Sequence, residues 1–214
     1  MHSSNYVFNI NDKCFINIPE SGGNLFSKIV NDNKLDIVID KNNRPISSLC
    51  TPKIFKYIII LRNPIQRVIS YYNMVKKKGW KNPYFKYSNN YNSFLNNCWE
   101  VNNQLTLYLA SVDCSKFTEK NIKISDKIYK VAFNVAKNNI NKLNSIIFFK
   151  DYINSIKNFF KKENNLELED LPNLTIPDNS KDISEEDYNL VKKHNKYDLM
   201  LYEYALRLNH DGKY

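Results

Sequence analysis

The sequence predicts an α/β fold with a central, mainly parallel sheet flanked by helices. Three observations carry this. Short apolar strand-like runs alternate with segments of helical spacing, the pattern of a parallel sheet with crossover helices. KYIIIL (56–61) is a nearly continuous β-branched run, as expected of a strand buried on both faces. Two strand ends, at FINIPESGGNLF (15–26) and IIILRNPIQRVIS (58–70), run straight into helix starts.

In chain order, KCFINI (13–18) reads as a first strand and NLFSKIVND (24–32) as a helix, with Leu25, Ile29 and Val30 on its apolar face. LDIVID (35–40) reads as a second strand and KNNRPISSLCTPK (41–53) as loop. After the third strand, 56–61, Asn63 is placed to cap a helix and Pro64 to open its first turn. Ile65, Val68, Ile69, Tyr72 and Val75 fall on one face of that helix. Residues 91–110 and 125–143 read as two further helices, the second with Ile128, Val131, Val135 and Ile140 roughly aligned. SIIFF (145–149) is a fourth strand, followed by a helix over 151–162 and an irregular stretch over 168–182 with two prolines. A last helix spans 183–208, with Ser184 as its cap and acidic residues in its first turn. A length of 214 residues suits one domain, 1–214.

A net charge of +9 favours anionic partners such as nucleic acid, sulfated or phosphorylated ligands, or anionic lipid. For scattered lysines a solvated surface is the simpler reading. Cys14, Cys50, Cys98 and Cys114 are widely spaced with no CxxC, and His2, His194 and His210 are dispersed, so no metal site is expected. Cys14 lies in a strand pattern and is expected to be buried. No run approaches about 18 consecutive apolar residues, so no membrane span is expected. MHSSNYVFNINDK lacks the long apolar core of a signal peptide, and the chain as given reads as cytoplasmic.

The chain has four glycines, and two of them stand together as Gly22 and Gly23. They either permit a tight turn or let backbone N–H groups at a helix start converge on an anion. The loop lacks the GK[ST] ending that ATP or GTP hydrolysis would require. The second corner adds Arg62 at a strand end, with Arg67 and Ser70 in the helix that follows. Arg can fork onto a phosphate, and a hydroxyl can donate one further bond. Arg62 and Arg67 paired with carboxylates is the plainer alternative.

Together IPESGGNL (18–25) and LRNPIQRVISYY (61–72) resemble the carbohydrate sulfotransferase family (heparan 2-O-sulfotransferase and chondroitin sulfotransferase-like), which uses 3′-phosphoadenosine 5′-phosphosulfate as donor. The family's motifs are IPKTGGTS and LRDPxxRxxSxY. NNQLTLYLAS (102–111) is similar to its NxQTxxLAG stretch and YDLMLYEYALRL (197–208) to its DxxLYxYAxxL helix. The resemblance implies a P-loop NTPase-like three-layer sandwich in a single sulfotransferase-like domain. It implies that Ser21, Gly22, Gly23, Asn24 and Leu25 cradle the 5′ side of the donor, and that Arg62 and Ser70 hold its 3′-phosphate. It implies sulfuryl transfer to an acceptor hydroxyl, with a carbohydrate as the expected partner and no metal. Relatives of this kind are often Golgi-lumenal.

Two departures stand out. Glu20 takes the place of the family's lysine, which neutralises the leaving phosphate. Lys28 and Arg44 are the cations nearest in sequence that could replace it; Glu20 itself could point away or act as a base. The family's base, a His or Glu near the second strand, has no histidine counterpart here. Asp40, at the end of that strand, is the candidate base, or a polar residue opening a loop. An impaired relative that keeps the fold and binds a nucleotide or partner is an alternative. A less favoured one is a nucleic-acid-binding protein using Lys76, Lys77, Lys78 and Lys81 with Trp80, Tyr84 and Phe85.

Overall fold

Residues 12–40, 55–112, 124–168, 171 and 183–210 are described in the computed structural model. His2, Arg44, Cys50, Cys114 and, apart from Leu168 and Leu171, the stretch 168–182 lie outside the described residues.

The predicted strands form as β1 (Asp12–Ile16), β2 (Ile37–Asp40), β3 (Phe55–Leu61) and β4 (Ser145–Phe148). All pair in parallel, in the order β2-β1-β3-β4. The isoleucine run of β3 is central and buried from Tyr57 to Leu61. Its side chains alternate between two cores, as the period of a strand requires. Tyr57, Ile59 and Leu61 join Cys14, Ile16, Ile146 and Phe148 on one face, whereas Ile58 and Ile60 join Phe15 and Ile147 on the other.

Helices cover both faces, giving the expected three-layer α/β sandwich. On one side α1 (Gly23–Asp32) contributes Phe26, Ile29 and Val30, and α6 (Tyr152–Asn164) contributes Ile156, Phe159 and Phe160. The opposite face is covered by α4 (Gln104–Leu109), α5 (Asp126–Ile140) and α8 (Lys196–His210). A third core joins α2 (Pro64–Lys78), α3 (Tyr91–Asn97) and α7 (Glu185–His194). It buries Ile65, Val68, Ile69, Tyr72 and Val75, the face predicted for α2. The caps also form: Asn63 Oδ1 accepts from the N–H groups of Ile65 and Gln66 at 3.0 and 3.3 Å, and Ser184 Oγ from Asp187 at 3.1 Å.

Three expectations change. The 91–110 helix is broken into α3, a 3-10 turn at Trp99–Val101, and α4. The 183–208 helix is broken at Asn195 into α7 and α8. Both breaks come from one reciprocal clasp. Asn103, at φ +48°, accepts with Oδ1 from the N–H groups of Tyr197 and Asp198 at the start of α8, at 2.9 and 3.1 Å. Asp198 in turn accepts from the N–H groups of Leu105 and Thr106 at the start of α4, at 3.0 and 2.8 Å, and Asn195 Oδ1 from that of Asn103 at 3.1 Å. Each helix start thus satisfies donors of the other that would otherwise be orphaned.

The third change is the face of α5. Of the predicted set Ile140 is buried, but Ile128, Val131 and Val135 are 52, 60 and 40 % exposed, and Ala132 and Ala136 turn inward with Ile140 instead. Both sets repeat at helical spacing, and small side chains won the contact because they let α5 lie close against its neighbours.

Candidate functional site

β1 and β3 are neighbours in the sheet, but the chain visits β2 on the far side of β1 between them. The strand order therefore reverses between β1 and β3, the place where open α/β sheets form ligand crevices beyond their strand ends. A cleft of about 540 Å³ opens there. Its walls include Asn17, Glu20, Gly22, Gly23 and Asn24 from the first corner and Arg62 from the second. Tyr71, Met74 and Lys78 from α2, Glu100, Gln104 and Tyr108 from the α4 side, and Phe149 after β4 complete it.

The double glycine has a steric reason. Gly22 sits at φ +97°, and a Cβ there would lie 2.5 Å from the Phe149 ring. Phe149 is held by Tyr152, 4.7 Å away between ring centroids, and by Arg62, whose guanidinium lies 4.6 Å over its ring. The Tyr152 hydroxyl donates to the Gly22 carbonyl, so β4 and α6 buttress the turn. At Gly23 a Cβ would overlap the Asn17 amide, which a side-chain rotation can relieve. Gly22 is therefore the stricter requirement. The cap residue of α1 is Gly22, which offers no side-chain hydrogen bond, and the first turn holds no acid, so this helix end is not neutralised from within.

The two corners touch through Glu20. This residue adopts φ +61°, a left-handed conformation uncommon outside glycine. Its carbonyl accepts a hydrogen bond from Arg62 Nη1 at 3.1 Å. Its carboxylate accepts one from Ser70 Oγ at 2.8 Å. Arg62 is buried, and its Nε has no hydrogen-bond partner among the described residues. Burial lowers the Arg62 pKa; the Glu20 charge opposes that shift and Arg67 adds to it.

Of the residues singled out in the sequence, Glu20, Gly22, Gly23, Asn24 and Arg62 line the cleft. Ser21 is buried and Leu25 packs against the α1 core, and neither is among the lining residues. Ser70 reaches the site through Glu20. Asp40 ends β2 opposite Ile16, at the same end of the sheet. Lys28 is exposed on α1 and does not line the cleft, and Arg44 lies outside the described residues. Lys78 does line it, although the sequence placed it in a lysine run, read as solvated or as part of a nucleic-acid patch, and not at this site. The available signal was helical: Tyr71, Met74 and Lys78 follow at i, i+3 and i+7.

Arg67 is not among the cleft-lining residues and is bound to no carboxylate among the described residues. It is 2 % exposed and donates through Nη1 to Gln104 Oε1 at 2.6 Å and to the Glu100 carbonyl at 3.2 Å. Burial lowers its pKa, and the charge of buried Asp198 is the largest opposing effect. Arg67, Gln104 and Asp198, from three of the four motif stretches, thus meet in one buried polar cluster that supports the cleft wall. Glu100 was also missed. Its carboxylate accepts the Tyr71 hydroxyl, and burial raises its pKa, with Arg67 drawing it back.

Of the aromatics in the lysine-rich segment, Trp80 is 83 % exposed, whereas Tyr84 is buried in the α2–α3–α7 core and Phe85 packs against it. Among the described residues no cluster of His, Cys, Asp and Glu could hold a metal ion, and no helix is long and apolar enough to cross a membrane. No protein-family model matches the chain, and no curated protein matches it.

Proposed function

We propose that this cleft binds 3′-phosphoadenosine 5′-phosphosulfate and that the chain transfers the sulfuryl group to an acceptor hydroxyl, with carbohydrate as the acceptor class. The observation that carries the reading is the meeting of the two motif-bearing corners at one crevice, with Arg62 bonded to the backbone of the glycine loop.

The residues present suit such a donor. The cap residue of α1, Gly22, makes no side-chain hydrogen bond, and the glycines admit close approach to the helix's first N–H groups. Arg62 and Lys78, both among the residues that line the cleft, supply positive charge. Arg62, clamped by the Glu20 carbonyl and the Phe149 ring, is pre-oriented, so little side-chain freedom remains to be lost on binding. The donor supplies an activated sulfuryl group on a phosphate leaving group. The chain's part is to orient it, to stabilise charge on the departing phosphate and to accept the acceptor's proton.

A second reading is favoured by one specific contact. The Glu20 carboxylate holds Ser70 and stands where the resembled family has a cation. A chain that binds the nucleotide without transferring sulfate would tolerate this; an efficient transferase must offset it, and Lys78 is the cation placed to do so.

Calorimetry with the desulfated nucleotide, 3′-phosphoadenosine 5′-phosphate, tests the donor site. Saturable binding that is lost in Arg62→Ala is the expected result. No binding, together with salt-dependent binding to single-stranded oligonucleotides, would replace this reading with a nucleic-acid one. Radiolabelled sulfate transfer to a panel of unsulfated glycans separates the two readings: turnover by the natural protein supports transfer, and turnover only by Glu20→Lys supports the impaired form.

A further inference from the structure

We infer that Glu100 is the base that takes the acceptor's proton and that Tyr71 positions its carboxylate, which places the acceptor on the α2–α4 side of the cleft. This rests on the donor reading above.

Glu100 lies in the 3-10 turn Trp99–Val101 and is among the residues that line the same cleft as the glycine loop and Arg62. Two contacts from α2 fix it. The Tyr71 hydroxyl donates to Oε2, and Arg67 Nη1 donates to the Glu100 carbonyl at 3.2 Å. Both partners are themselves immobilised: Tyr71 is buried against Phe94, 6.3 Å between ring centroids, and Arg67 is tied to Gln104 at 2.6 Å. The other carboxylate oxygen, Oε1, has no hydrogen bond among the described residues. A half-buried carboxylate with one oxygen anchored, on a residue that borders a cleft, is the arrangement a general base needs. Glu20, by contrast, spends its carboxylate on Ser70 beside the donor corner.

The step balances. The acceptor O–H proton passes to Glu100 Oε1 as the acceptor oxygen forms a bond to sulfur. The bond between sulfur and the 5′-phosphate oxygen breaks, and its electron pair leaves with that oxygen. The products are a sulfate ester and the adenosine bisphosphate, and Glu100 returns its proton to solvent. Tyr71 and Arg67 from α2 bond Glu100, and the titratable or charged residues that line the same cleft are Lys78 from α2, Tyr108 from α4, Glu20 and Arg62. Burial keeps the carboxyl above the ordinary carboxylate range, so transfer should rise with pH along an acid limb.

The test uses the whole chain, radiolabelled donor, and a panel of unsulfated glycans and p-nitrophenol as acceptors. Glu100→Gln keeps an oxygen for Tyr71; it should not weaken binding of 3′-phosphoadenosine 5′-phosphate and should slow transfer by about a hundredfold or more. Tyr71→Phe removes a bond that favours the charged carboxylate, so the acid limb should move to higher pH. A merely structural role would leave that limb in place. Transfer by Glu100→Gln at the natural rate, or an unmoved limb in Tyr71→Phe, overturns the assignment while nucleotide binding keeps the donor site intact. Nucleotide binding without transfer to any acceptor also overturns it. Failure of the natural protein to bind the nucleotide, measured with no acceptor present, overturns the donor reading and this assignment together.

Discussion

Replacing Glu20 by Gln isolates the charge that sets this cleft apart from the family it resembles. The substitution keeps an oxygen to accept from Ser70 and removes one negative charge. Unit charges about 4 Å apart interact by about 4 kcal/mol at an effective dielectric near 20, and by about 1 kcal/mol in bulk water. Glu20 is half-buried on the wall of an open cleft, so relief of its repulsion toward a phosphate falls between these limits. After screening by solvent and salt, about 1–2 kcal/mol remains. Calorimetry should therefore show 3′-phosphoadenosine 5′-phosphate binding roughly 5- to 30-fold tighter to Glu20→Gln than to the natural protein. Glu20→Lys replaces repulsion by attraction and should gain more. Both gains should shrink as salt is raised. Equal or weaker binding by Glu20→Gln, in a variant with an unchanged melting temperature, would refute the view that this carboxylate opposes an anion in the cleft.

Gly22→Ala places a Cβ at φ +97° and 2.5 Å from the Phe149 ring, and should lower stability by about 1–3 kcal/mol in thermal unfolding. Asp198→Ala uncaps α4 and leaves Arg67 buried without its main opposing charge; a loss of about 3–5 kcal/mol in denaturant unfolding is expected. His194 is held below its ordinary pKa of 6.5, chiefly by burial and then by Lys193, so the unfolded chain binds a proton there more readily than the folded one. The contribution from His194 is therefore full above that value and is lost as pH falls through the folded pKa. His194→Gln should flatten the decline in stability on acidification just below pH 6.5, read from urea midpoints.

The parts of this fold that local pattern controls were legible. The four strands, the capping of α2 by Asn63, and the apolar face Ile65–Val68–Ile69–Tyr72–Val75 each follow from neighbours within about two turns in the chain. The glycine loop and Arg62 could be nominated as one site because a parallel sheet puts successive strand ends at the same edge. The inward face of α5 was not legible. Ile128, Val131 and Val135 satisfy helical spacing as well as Ala132, Ala136 and Ile140 do, and periodicity does not register which set a neighbour can approach more closely. Lys78 and Glu100 escaped for a related reason. A lysine in a lysine run and a glutamate in an irregular turn carry no local mark of the cleft they border.

By itself the sequence determined the layered α/β plan, through alternation of strand and helix periods, and the two chain reversals, through glycine and through the Asn-Pro helix start. The tertiary structure decided what those reversals do to one another. Glu20 binds both Arg62 and Ser70, and residues 42 and 50 positions apart in the chain acquire a shared charge environment. It also decided where two helices stop, because Asn103 accepts from the N–H groups that start α8 and Asp198, 95 residues away, accepts from those that start α4. Intrinsic helix preference is weak, at most about 1 kcal/mol per residue apart from proline. A buried cap that satisfies several backbone donors at once outweighs it, and such a cap exists only after the chain has folded.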